Sequence, residues 1–72
     1  MSIDYALAKR LCTKHKSALT RAKNKSPEAV LAAVDAFYGE FYANHLPLPD
    51  AWRRWEGARE DAESAIRRRD LL

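Results

Sequence analysis

Apolar and polar positions along the chain recur with the three-to-four-residue period of an amphipathic helix, in three blocks divided by two breaks that contain proline. The first block predicts a helix over about residues 3–25, with Ser2 as its cap, Asp4 in its first turn and no Gly or Pro inside it. At about 100° per residue, Leu7, Leu11, Cys12, His15, Ala18, Leu19 and Ala22 share one face. Lys9, Lys16 and Lys23 flank that face on one side, and Arg10, Lys14, Arg21 and Lys25 on the other. Thr13, Ser17, Thr20 and Asn24 form the outermost strip.

Asn24-Lys25-Ser26-Pro27-Glu28 is a boundary. Ser26 suits an N-cap, Pro27 the first helical position, and Glu28 the positive end of the helix dipole. The second helix is predicted over about 27–44, with Val30, Leu31, Val34, Phe37, Tyr38, Phe41 and Tyr42 on one broad face. A second strip, Ala29, Ala32, Ala36, Gly39 and Ala43, is small enough for another helix to approach, although alanine is also the best helix former. His45-Leu46-Pro47-Leu48-Pro49 ends this helix, because residues before proline avoid the helical region and proline lacks a donor. A third helix is predicted over about 50–69, with Trp52, Trp55, Ala58, Ala62, Ala65 and Ile66 facing inward. Arg59, four residues from both Trp55 and Glu63, can stack on the indole and pair with the carboxylate. Glu63 and Arg67 form a further favourable pair.

Short connections imply antiparallel neighbours, so the expected fold is all-α: one domain spanning 1–72, an up-down-up three-helix bundle. Seventy-two residues make a marginal core, and a helical hairpin completed by homodimerisation is the alternative. A hydrophobic fraction of 47% with two Gly and three Pro fits a folded chain. One cysteine, Cys12, allows no internal disulfide and no cysteine-based zinc cluster, which points to a reducing, cytoplasmic setting. No apolar run approaches the ~20 residues of a membrane span, and none resembles a signal peptide.

Charge is sorted by segment. Residues 1–26 carry +6, residues 27–50 carry −4 with no base at all, and residues 51–72 carry +1. In an up-down-up bundle the ends of the first and third helices share a pole. Arg21, Lys23 and Lys25 then lie near Arg67, Arg68 and Arg69, beside the start of the second helix, as a phosphate site would need. Bases at helix C-termini also complement the dipole, and no recognition-helix motif accompanies them.

Catalytic patterns are missing: there is no phosphate-binding Gly loop, no His-Glu-x-x-His pattern and no nucleophile elbow. Cys12 and His15 would need two further ligands to hold zinc. No enzyme activity, metal, cofactor or small-molecule substrate is expected. Aromatic anchors are abundant instead. Trp52, Trp55, Arg59, Tyr38 and Tyr42 are of the residue types that dominate protein interfaces, with a protein partner or a second copy as the occupant. Closure of the core by both indoles is the structural alternative.

The stretch Leu48-Pro49-Asp50-Ala51-Trp52-Arg53-Arg54-Trp55-Glu56, followed by Ala58-Arg59 and Asp61-Ala62, resembles a recurrent pattern in short uncharacterised accessory proteins of actinobacterial phages. Leu19-Thr20-Arg21-Ala22, ahead of an acidic aromatic helix, is similar to them as well, so that the likeness spans about two-thirds of the chain. The resemblance implies a small accessory protein in a bacterial host cell that binds or modulates a host or phage macromolecule. It implies no particular chemistry.

Overall fold

A computed structural model describes residues 4–48, 50 and 52–71. They form three α-helices in chain order: α1 (Tyr5–Lys23), α2 (Pro27–Ala43) and α3 (Trp52–Leu71). There is no strand among the described residues.

Local chemistry sets each helix end. Asp4, not Ser2, caps α1: its carboxylate accepts the Leu7 N–H at 2.9 Å, which answers one of the four unpaired donors of the first turn. Ser2 lies outside the described residues. α1 stops at Lys23, short of Lys25, because the Ala22 carbonyl accepts from both Lys25 N–H (3.0 Å) and Ser26 N–H (3.2 Å) and so closes the turn. Ser26 is extended, and its hydroxyl accepts the Ala29 N–H at 3.1 Å, with Pro27 opening α2 as its sequence position implies.

The end of α2 shows a device that the prolines had hidden. His45 takes a left-handed conformation (φ 53°), its N–H bonds to the Tyr42 carbonyl at 3.1 Å, and the Leu46 N–H bonds to the Phe41 carbonyl at 2.9 Å. These two bonds make a Schellman motif with histidine in the usual glycine position, and Leu46 packs back on the core as that motif requires. α3 starts at Trp52; Pro49 and Ala51, part of its expected start, lie outside the described residues.

Cross-helix pairs fix an antiparallel register on both sides of α2. Lys14 meets Glu40 between α1 and α2, while Tyr38 meets Glu56 and Glu28 meets Arg69 between α2 and α3. α1 and α3 therefore run parallel to each other. No Cα atom of one comes within 8 Å of the other among the described residues.

Side chains close the gap that this leaves. Phe37, 0% exposed, and Trp55, 3% exposed, stack face to face with centroids 4.0 Å apart and planes 8° from parallel. His15 of α1 meets both edge-on, at 5.8 Å from Phe37 and 6.5 Å from Trp55. Phe41 leans on Phe37 at 4.8 Å. Burying each ring side chain is worth about 1.5–3 kcal/mol, and aromatic pairing adds about 0.5–1.5 kcal/mol. Leu11, Leu19 and Ala22 of α1, Val30 and Val34 of α2, and Ala58 and Ala62 of α3 complete the core.

Trp55→Ala removes the one large side chain that α3 sends into this core. The expected cost is about 3–5 kcal/mol, comparable to all that a core of this size commonly supplies. Urea unfolding followed by far-UV circular dichroism should show the variant largely unfolded in buffer. A cooperative transition close to that of the parent chain would mean that the stack is not what holds α3.

Candidate functional site

Four of the five residues expected at a protein interface share one face of the α2 and α3 pair. On α2, Tyr38 and Tyr42 are one turn apart; on α3, Trp52, Glu56, Arg59 and Glu63 recur at spacings of three and four. The Tyr38 hydroxyl donates to Glu56 Oε1 at 2.5 Å, which ties the helices together at this level. One turn nearer the linker, the same antiparallel register sets Tyr42 opposite Trp52. Tyr42 is 73% exposed and Trp52 39% exposed, with Leu48 of the linker also reaching solvent.

Trp55 is not part of this face. Its ring is 3% exposed and points inward, against Phe37 and His15 of the core. Arg59 does not stack on it. The indole face is already covered by Phe37, and the Arg59 guanidinium instead bridges Glu56 at 3.8 Å and Glu63 at 3.6 Å. The cation over an indole is Arg53, 5.9 Å from the Trp52 ring centroid. With Glu63 held by Arg59, Arg67 turns to the Ser64 hydroxyl at 3.4 Å.

At the opposite end the six expected bases, Arg21, Lys23, Lys25, Arg67, Arg68 and Arg69, are all exposed around the start of α2. Arg69 differs from the rest because it donates to Glu28, an ion pair that holds the Glu28 carboxyl below its ordinary value. Lys23 and Lys25 have no carboxylate within 4 Å among the described residues.

A third polar cluster joins α1 to α2. Glu40 accepts from Lys14 Nζ at 2.7 Å, which lowers its carboxyl from the ordinary range. Its Oε1 also lies 3.1 Å from Nε2 of the buried His15, off the line of a hydrogen bond. Cys12 is half-buried and its thiol is pushed up by that burial, away from the reactive thiolate. No group of three or more His, Cys, Asp or Glu among the described residues could hold a metal ion, and no helix is long and apolar enough to cross a membrane.

Glu56 and Glu40 carry these clusters, yet sequence reasoning singled out neither. Each is an ordinary helix-surface glutamate until the register is known. Pairing Phe37 with Trp55 would have supplied it, since that match places Glu56 beside Tyr38. Comparison with protein-family models, curated proteins and solved structures yields no match for the chain.

Burial, then the Glu56 hydrogen bond and charge, push the Tyr38 hydroxyl up from 10.0 to about 12. A raised folded-state value means stability fully present below pH 10.0 and lost as pH rises through about 12. Tyr38→Phe should therefore be less stable than the parent at neutral pH, with the difference shrinking across that window. Urea midpoints at several alkaline pH values measure it, and a constant difference would show that the Tyr38 proton is not coupled to folding.

Proposed function

We propose that this chain is a small non-enzymatic protein-interaction module, of the kind that the actinobacterial phage resemblance implies, which binds or modulates a protein of the host or phage. The observation that carries this reading is the exposure of two rings, Trp52 and Tyr42, on helices that the Tyr38–Glu56 hydrogen bond holds in register. Such anchors need rigid support to be effective, because ordering a loose side chain on binding costs about 0.5–1.5 kcal/mol. Glu56, Arg59 and Glu63 supply a charged rim beside the rings. Trp55 contributes from inside, by fixing the turn of α3 that carries Trp52. The partner is a protein surface with an apolar patch, and a second copy of this chain is one such surface.

Trp52→Ala should weaken association by about 2 kcal/mol or more, roughly thirtyfold, if Trp52 is a hot spot. Its circular dichroism spectrum and melting temperature should stay close to those of the parent. Sedimentation velocity over a range of concentrations tests self-association, and crosslinking in a bacterial host lysate, parent against Trp52→Ala and Tyr42→Ala, tests other partners. Loss of folding in Trp52→Ala would assign the indole to the core. Identical assembly and identical crosslinks in parent and variants would overturn the reading.

A second reading has its own observation: five exposed bases at the pole remain after Arg69 is taken by Glu28. They would engage a phosphate backbone without base specificity. Fluorescence anisotropy of a labelled random duplex at about 50 and about 200 mM salt should then show binding that weakens steeply with salt. Arg67→Glu with Arg68→Glu should abolish it, and unchanged affinity in that double variant would exclude the pole as the contact.

A further inference from the structure

The space between α1 and α3 is bridged at the level of Trp55 and His15 and opens toward the end of α1. Toward its C-terminus α3 turns Ala58, Ala62 and Ala65 inward, and a methyl group is too short to bridge helices whose Cα atoms stay more than 8 Å apart. An open groove of about 460 Å³ results at the basic pole, over the first turns of α2. That volume falls within the range of about 300–1,000 Å³ typical of ligand clefts. Val30 and the three alanines make an apolar floor. The two walls differ in charge: Lys23 and Lys25 stand on the α1 side, and Asp61 on the α3 side.

We propose that this groove docks an acidic amphipathic helix of a protein partner, with its apolar side chains on the alanine floor and its carboxylates along Lys23 and Lys25. An apolar knob from outside would do at the pole what Trp55 does in the middle of the bundle. The charge argument is specific to this wall. α1 contains no acidic residue, and the nearby Glu28 is taken by Arg69, so among the described residues no carboxylate stands within 4 Å of either lysine. Asp61 repels carboxylates from the opposite wall, which restricts the acids to one edge of the incoming helix and so sets its orientation.

Other occupants fit less of the groove. A nucleic acid would satisfy the lysines and leave the apolar floor uncovered. A second copy would have to offer an acidic helix, and the free face of α2 carries Ala32, Ala36, Gly39 and Ala43, none large enough to fill the space. The groove lies at the end of the molecule away from Trp52 and Tyr42, so this inference does not depend on the aromatic face.

The test is anisotropy of a labelled amphipathic peptide built from Leu, Glu, Ala and Gln, with Leu at helical i, i+3, i+7 spacing, titrated with the full chain. A peptide with Lys in place of each Glu is the control. Ala65→Phe, at the half-buried end of the floor, places a ring in the groove, and Lys23→Glu with Lys25→Glu reverses the wall. The acidic peptide should bind, the basic one should not, and each variant should weaken binding by at least about tenfold. Melting curves establish that the variants fold. Should Ala65→Phe fail to fold, the lysine pair, which is exposed, still decides the charge requirement. Absence of binding by the acidic peptide overturns the proposal. So does equal affinity in a folded Ala65→Phe, since the bases would then act without the groove. Self-association of the parent chain that Ala65→Phe abolishes would assign the groove to a second copy. A random duplex that displaces the peptide and binds Ala65→Phe as tightly as the parent would assign the pole to nucleic acid.

Discussion

Everything in this bundle depends on the stack of Trp55 on Phe37. Each of α1 and α3 packs directly against α2, but among the described residues α1 and α3 do not approach each other closely, so those two meet only where large side chains cross the space between them. Trp55 is the one large residue that α3 buries, and Phe37 is a fully buried ring of α2. His15 brings α1 into the same cluster by touching both rings edge-on. A leucine at position 55 would reach the core but would not span it with a flat face. The stack opposes a slide of α3 in one direction, because a one-turn shift that brings Ala58 to the place of Trp55 would put a methyl group where the indole sits.

The sorting of charge along the chain has an internal cause as well as an external one. The helix without bases, α2, is the one with neighbours on both sides. Glu40 reaches Lys14 of α1, and Glu28 reaches Arg69 of α3. A central acidic helix between more basic ones favours this arrangement over those that place like charges together, although each exposed pair is worth only ~0–1 kcal/mol. The internal pairs therefore account for part of the pattern and, besides Lys9, Arg10, Lys16, Arg53 and Arg54 elsewhere on the surface, leave a set of five: Arg21, Lys23, Lys25, Arg67 and Arg68. Those bases gather at the pole where the core is thinnest.

Much of the fold was legible in the sequence because its signals are local. Ser26-Pro27-Glu28 marks a helix start by hydrogen bonding and φ alone, and the apolar faces of all three helices follow from period. The left-handed His45 was not legible. Histidine is enriched in that conformation but adopts it in only a small minority of cases, and the prolines after it gave a sufficient but incomplete reason for the helix to stop. Trp52 and Trp55 could not be told apart by period either, since a spacing of three keeps both on the inner side. What separates them is where α2 ends. Trp55 stacks on Phe37 inside the length of α2, whereas Trp52, one turn earlier on α3, lies toward the level where α2 ends, with the half-buried Leu46 packed on the core beyond that end. The groove was hidden for a related reason: alanines on an inner face read as close packing until the distance to α1 is known.

The two ends of the molecule are thus unfinished in opposite ways. At the linker end, large side chains outnumber the core positions available to them, and Trp52 and Tyr42 are left at the surface. At the pole, core positions outnumber the large side chains, and alanines leave a groove. Exchanging one bulky residue between the ends would fill the groove at the pole and remove an exposed ring at the linker end. A chain under pressure only to fold would gain apolar burial from that exchange at about 25 cal/mol per Å². Keeping rings in solvent and a groove beside unpaired lysines runs against that gain, and this mismatch is the physical reason to look for partners at the two ends rather than along the sides.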